Sequence, residues 1–185
     1  MKKRSRVSNK KMMETIGILV FGIGLLIYIL KAGAEIAIPY TNDELVDKYA
    51  SKYGLQKSLV AAVIFQESGY RTDVVSNKGA MGLMQIMPET GKWIAGKLNE
   101  DFTEENLLKP ETNVKYGTWY LDYLISRYKN AATALAAYNA GPGNVDDWME
   151  EQGISIGEEL REIPFTETRN YVDSIMRMRT VYEKM

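Results

Sequence analysis

The sequence predicts an all-α domain preceded by an N-terminal transmembrane or signal helix. Three observations carry that expectation. Apolar residues recur at intervals of three and four along most of residues 41–183. Sustained two-residue alternation, the mark of a half-buried strand, is missing, and no repeat period shows. Gly, Pro and Asn punctuate the periodic stretches where helices should stop.

The elements follow in order. Thr41 and Glu44 have capping-box spacing ahead of Leu45, Tyr49 and Tyr53, which recur every four residues up to a stop at Gly54. A second helix is expected over residues 56–68, with Val60, Val63 and Ile64 on its apolar face and Gly69 at its end. Residues 70–86, with Gly79 and Gly82, read as an ordered loop holding a short helical turn. Pro88 suits the first turn of a third helix reaching about residue 98. Thr103 starts a short turn up to Pro110. Val114, Thr118, Leu121, Leu124, Ile125 and Tyr128 mark a long amphipathic helix. An Ala-rich helix follows over residues 131–138, and the run Asn139 to Asn144 (NAGPGN) is the strongest turn signal in the chain. Thr166 is placed to cap a last helix bearing Tyr171, Ile175, Met178 and Tyr182, and the charged stretch Glu158 to Glu162 reads as a solvated face.

Composition narrows the chemistry. The 185 residues are 45% hydrophobic, enough for a packed core. Cysteine is absent, which excludes disulfides, thiolate metal sites, a Cys nucleophile and a lipidated cysteine. Histidine is absent too, which excludes His-dependent zinc sites and every Ser-His or Cys-His arrangement. Acid–base chemistry near neutral pH must then fall to Asp, Glu, Lys or Tyr in an environment that shifts its pKa.

Charge is divided unevenly. Residues 1–11 carry six positive charges and no negative ones, whereas residues 39–185 carry 16 positive and 22 negative. The main span therefore offers no basic patch for nucleic acid. The basic tip leads into fifteen uncharged residues, Ile16 to Leu30, closed by Lys31. We read residues 1–38 as a tip plus membrane anchor of about residues 12–34, basic end inside and residues 39–185 outside. A cleaved signal, with Ala32-Gly33-Ala34 as its small-residue site, is the competing reading. A helix buried in a soluble core ranks third, because a six-charge flank does not suit one.

One residue breaks the apolar pattern. Glu67 lies three residues after Ile64 and seven after Val60, on the core-facing stripe, at a helix C-terminus. Desolvation and the helix dipole both raise a carboxylate pKa there. A carboxyl group still protonated near neutral pH is what a general acid requires. On periodicity alone, a frayed helix end with Glu67 in solvent, or pairing with a buried Arg, competes with that reading.

Four sequence blocks bear on the choice. Glu67-Ser68-Gly69-Tyr70 is followed by Ser76 to Thr90 (SNKGAMGLMQIMPET), then Ala136 to Gly143 (AAYNAGPG), then Ile163 to Val172 (IPFTETRNYV). Together, in this order, they resemble the catalytic domain of the soluble lytic murein transglycosylases, which have a goose-type lysozyme-like fold. The resemblance covers about residues 41–183. It departs at Tyr70-Arg71-Thr72-Asp73, where the family often has Phe-Asn-Pro.

That resemblance implies a catalytic domain over residues 39–185 and a substrate, the peptidoglycan glycan strand, cut between N-acetylmuramic acid and N-acetylglucosamine. It implies Glu67 as the only catalytic carboxylate, with the sugar's own 6-hydroxyl as nucleophile. Gly79 and Gly82 would let backbone approach a sugar, with turn-making as the competing role. Leu83, Met84 and Gln85 would line the cleft, Gln85 bonding sugar or acetamido groups; core packing competes for Met84. Tyr138 and Asn139 would face the saccharide, with packing and capping as the other view of Asn139. Tyr171 would aim its hydroxyl at Glu67, and Ser68 and Ser76 would make polar contacts. Glu167 and Arg169 read as an ion pair or cap. No residue cluster suggests a metal or organic cofactor. The expected partners are glycan strands and, through the N-terminal helix, a membrane; a monomer is expected. Two other function classes stay open. A hydrolytic muramidase would need a second carboxylate, Asp73 being the nearest in sequence. A noncatalytic glycan-binding or secretion scaffold would not need the intact Glu67 and Gln85.

Overall fold

The computed structural model describes residues 43–185 together with Ile23 and Leu25. The expected anchor over residues 12–34 and the capping Thr41 thus lie outside the described residues, apart from Ile23 and Leu25, which are helical. Among the described residues, no helix is long and apolar enough to cross a membrane. Among the described residues from 43 on, seven α-helices account for the fold: α1 (Asp43–Lys52), α2 (Lys57–Ser68), α3 (Pro88–Leu98), α4 (Pro110–Tyr128), α5 (Ala131–Ala140), α6 (Pro142–Gln152) and α7 (Thr166–Tyr182). A 3₁₀ turn, Glu104–Leu108, joins α3 to α4.

Helix α2 is the axle. Leu59 through Ile64 are buried without interruption, so this helix is apolar all round. It packs on α1 and, more extensively, on α7. At about 1.5–3 kcal/mol per fully buried Val, Leu or Ile side chain, this short segment is a large share of the core. Gly69 ends it in the left-handed region (φ 59°), donating its N–H to the Phe65 carbonyl. Helix α5 is the second buried helix: its alanines let α4, α6 and α7 all pack against it. Asn130 caps it by accepting the Thr133 N–H at 3.0 Å.

Several expectations are corrected. In α1 the buried residues are Val46, Tyr49 and Ala50, so the core face is turned from the Leu45–Tyr49–Tyr53 stripe; Tyr53 falls in the turn. Residues 70–86 hold no helical turn. Antiparallel bridges pair Val75 with Met81 and Met81 with Ile86, because positive φ at Gly79, Gly82 and Gln85 breaks any α path. Asn139 and Ala140 complete α5 instead of forming a turn. The reversal is compressed into Gly141 (φ 90°), and Pro142 begins a helix that the NAGPGN signal hid. Val145, Trp148 and Met149, spaced i, i+3, i+4, are its buried face. Thr166 does not cap α7: Phe165 occupies that position, without a side-chain bond. Arg169 donates Nε and Nη2 to the Ile163 carbonyl at 3.2 and 3.0 Å, and so ties the approach to α7 rather than pairing with Glu167.

Candidate active site

Glu67 ends α2 and meets α7. The Tyr171 hydroxyl donates to Glu67 Oε1 at 2.6 Å. One turn on, Ser174 donates to Gln66 Oε1, also at 2.6 Å, so two hydrogen bonds clamp the end of α2 to α7. Burial raises the Glu67 carboxyl to about 7; the Tyr171 hydrogen bond acts the other way and is the smaller effect. Tyr171 and Tyr138 are themselves pushed well above the ordinary tyrosine value, first by burial and then by the charge of Glu67. Both therefore stay neutral donors at any working pH.

The loop facing Glu67 is held by amides. Asn113, fully buried on α4, accepts the Met84 N–H at 2.6 Å and donates to the carbonyls of Met81 and Leu107, both at 2.7 Å. Ser68 donates to the Leu83 carbonyl at 2.8 Å, and Tyr138 donates to the Met84 carbonyl at 2.9 Å. Gln85 spends its amide nitrogen on the Gly82 and Val74 carbonyls, at 2.8 and 3.2 Å. Gln85 also lines the cavity beside Glu67. Asn139 Oδ1 accepts from the buried Thr168 hydroxyl at 2.7 Å, which fixes the amide and turns its NH₂ away from α7.

Two cavities meet at Glu67. One, of about 380 Å³, is lined by Glu67, Ser76, Gln85, Tyr138 and Asn139 among others. The second, of about 560 Å³, is lined by Glu67, Tyr171, Asn170, Ser174 and Arg177 on the α7 side. Glu167 and Asn139 face both. The structure thus brings together Glu67, Ser76, Gln85, Tyr138, Asn139 and Tyr171. Four other expected site residues lie behind this surface. Leu83 and Met84 are fully buried and line neither cavity, and their carbonyls are taken by Ser68 and Tyr138. Ser68 is buried and occupied by carbonyls. Gly82 faces protein: a Cβ there would strike Asn113 and the Leu107 carbonyl, so its role is to let the loop close, not to admit a sugar.

Sequence reading missed Asn113 and Thr168, the residues that position the loop and Asn139. The signal existed for Asn113, a polar residue one step from Val114 on the buried face of α4. It is the same kind of irregularity that singled out Glu67. Glu167, taken for a structural residue, lines both cavities, whereas Asp73 lines neither. Among the described residues no group of three Asp or Glu side chains could hold a metal ion.

Comparison with known proteins fits this geometry. The profile of the transglycosylase SLT domain matches residues 44–160. The soluble lytic murein transglycosylase of Salmonella typhimurium is 36% identical over 153 residues, 80% of this chain and 24% of that protein. The membrane-bound lytic murein transglycosylase C of Serratia proteamaculans is 28% identical over 170 residues, 76% of this chain and 46% of that protein. Among solved structures, an inactive mutant of the lytic transglycosylase Slt from Pseudomonas aeruginosa superposes with a TM-score of 0.72 at 32% identity, over 80% of this chain and 24% of that one. The chain spans about a quarter of the soluble relatives it matches.

Proposed function

Since the chain belongs to the transglycosylase SLT domain family, we propose that it is a lytic transglycosylase. It cleaves the bond between N-acetylmuramic acid and N-acetylglucosamine in peptidoglycan without water and leaves 1,6-anhydromuramoyl ends. The observation that carries this reading is Glu67, raised to about 7 where two cavities meet and held by Tyr171.

The mechanism follows from one carboxyl group changing roles. Protonated Glu67 gives its proton to the leaving glycosidic oxygen as the C1–O bond breaks. The sugar's own acetamido oxygen stabilises the positive centre at C1, so no protein nucleophile is needed. The Glu67 carboxylate then takes the proton from the muramic acid 6-hydroxyl, whose oxygen bonds to C1 and closes the anhydro ring. Both steps use one proton site, and Glu67 ends as it began. The intramolecular hydroxyl has the entropic advantage over water. Gln85, Asn139 and Ser76, which line the Glu67 cavity, would hold the acetamido and hydroxyl groups of the sugars.

A hydrolytic muramidase on this fold would use Glu167, which shares both cavities with Glu67, to orient water. Mass spectrometry of released fragments separates the two. Anhydro ends, lighter than reducing ends by one water, are expected; fragments with reducing ends alone would overturn the proposal.

The pH profile gives a second check. Cleavage needs protonated Glu67, so its rate should fall as pH rises through about 7. Tyr171→Phe removes the hydrogen bond that favours the carboxylate. The Glu67 pKa then climbs, and the alkaline fall moves to higher pH. A fall that stays in place or moves to lower pH would contradict the role assigned to Tyr171.

We further propose that residues 12–34 anchor the enzyme at the outer face of the cytoplasmic membrane, where its substrate lies. The fifteen uncharged residues span about 22 Å of a roughly 30 Å core, so flanking residues must contribute. Membrane-fraction protein of full mass supports the anchor; a soluble product beginning at Glu35 removes it and leaves the catalytic reading intact.

A further inference from the structure

The cleft does not stop at the residues around Glu67. Its cavity shares Gln85, Met87, Tyr138 and Asn139 with a third, of about 290 Å³. That one shares Thr90, Tyr120 and Pro142 with a fourth, of about 310 Å³, closed by Trp93, Tyr123 and Glu89. One groove therefore runs from Glu67 to Trp93.

The far end is built of rings. On α4, Trp119, Tyr120 and Tyr123 are spaced so that the tyrosines lie one turn apart. Their planes are nearly parallel: Trp119 and Tyr123 differ by 9° at 5.7 Å, and Tyr120 and Tyr123 by 10° at 6.3 Å. Trp93 of α3 stands across this row, at 64° to Trp119, 80° to Tyr120 and 71° to Tyr123. The result is a corner with a phenol floor and an indole wall. Lys97 lies 5.7 Å over the Trp93 ring. Even so Trp93 is 38% exposed, although buried indole would be the more stable arrangement. Glu89 and Thr90, four and three residues before Trp93, share its helix face and bring a carboxylate and a hydroxyl to the same corner.

We propose that this corner is a saccharide subsite distant from the cut bond, with Trp93 as its principal contact. The inference rests on the reading of the chain as a murein glycan-cleaving enzyme and extends it to how long a strand is gripped. A pyranose has an apolar C–H face and a rim of hydroxyls. The rings match the face, and Glu89 and Thr90 match the rim. The Glu89 charge disfavours the carboxylates of a peptide stem, and the polar pair disfavours a purely apolar ligand. Continuity with the Glu67 cavity means that the occupant is the same strand, several sugars along.

The test compares full-length wild type with Trp93→Ala on peptide-free glycan strands. An aromatic contact is worth about 0.5–1.5 kcal/mol beyond area burial, or roughly two- to twelvefold. KM should rise by about that factor with kcat nearly unchanged, and Trp93→Phe should recover much of the loss. Chitohexaose, an oligomer of β-1,4-linked N-acetylglucosamine, should shift the tryptophan fluorescence of the Glu67→Gln protein. The shift should weaken when Trp93 is also replaced. Should Trp93→Ala lose its helical circular dichroism, Trp93→Leu fills the space without a ring and carries the same expectation. Unchanged KM in a folded variant overturns the subsite, and so does a fall in kcat alone. Wild type that cuts strands to anhydro ends while Trp93→Ala behaves identically removes the subsite only. Wild type that binds chitohexaose through Trp93 but releases no anhydro ends removes the transglycosylase reading and keeps the subsite.

Discussion

Glu67→Gln is expected to lower strand cleavage by at least about 10²–10⁴-fold while the fold is kept, the range typical for one general acid or base. Glutamine keeps the shape and can accept the Tyr171 hydrogen bond, but it has no proton to give or recover. In the proposed reaction Glu67 serves both halves, so both are lost together. The same substitution should stabilise the protein at alkaline pH. The folded state raises the carboxyl from 4.5 to about 7, so folding favours the protonated form. Its contribution is intact below pH 4.5 and is lost as pH rises to about 7, because only the unfolded chain ionises freely in that window. Above that window the penalty is up to about 3 kcal/mol, reduced by screening at the solvent-facing edge. Glutamine never ionises, so thermal unfolding should show the variant more stable than wild type at pH 8 and the two converging below pH 4.5. Wild-type turnover in a folded variant would remove the mechanism. Equal stability at both pH values would mean that the carboxyl is not desolvated.

These two signs, lower activity and higher stability, belong together because a site that holds a carboxyl at the wrong pKa is strained by design. That strain was legible in the sequence. Glu67 on an apolar stripe could be found by counting, and so could α4 and α7 from their periodic faces; Pro88 marked the start of α3, and α2 showed three apolar positions of a helix that is buried all round. Helix α6 was hidden because its start lies inside a turn signal: Gly141 and Pro142 both read as breakers, yet one ends a helix and the other begins the next. The side chains of Leu83 and Met84 were misplaced for a related reason. Sequence near a functional loop does not say whether a side chain faces the cleft or the core. Here Ser68 and Tyr138 bind the carbonyls and the side chains fill the core. Asn113 and Thr168 act at long sequence separation, where no local pattern reports the partner. The groove to Trp93 is likewise a product of α3 meeting α4, and periodicity shows the two faces but not their meeting.

The second large effect concerns that loop. Gly82→Ala should destabilise the protein by about 3–5 kcal/mol, the sum of a left-handed backbone and an overpacked core site. Gly82 has φ 74°, and its missing Cβ points at Asn113, whose Cγ would be 2.8 Å away, and at the Leu107 carbonyl. Neither neighbour can yield cheaply. Asn113 is already bound to Met84, Met81 and Leu107, and a backbone carbonyl does not rotate away. Gly79 supplies the control. Its φ of 89° is as unusual, but nothing lies within 4 Å of its Cβ position, so Gly79→Ala should carry only the backbone cost of about 1–3 kcal/mol. Urea unfolding of both variants measures the difference. The midpoint should fall much further for Gly82→Ala with little change in slope. Cleavage should fall with it even where the protein is still folded, because a displaced loop moves the Met84 carbonyl from Tyr138 and takes Gln85 out of the cleft. Equal midpoints for the two variants would show that the contact with Asn113 and Leu107 relaxes freely. The loop would then be held by its left-handed residues alone, and Asn113 would lose the role assigned to it.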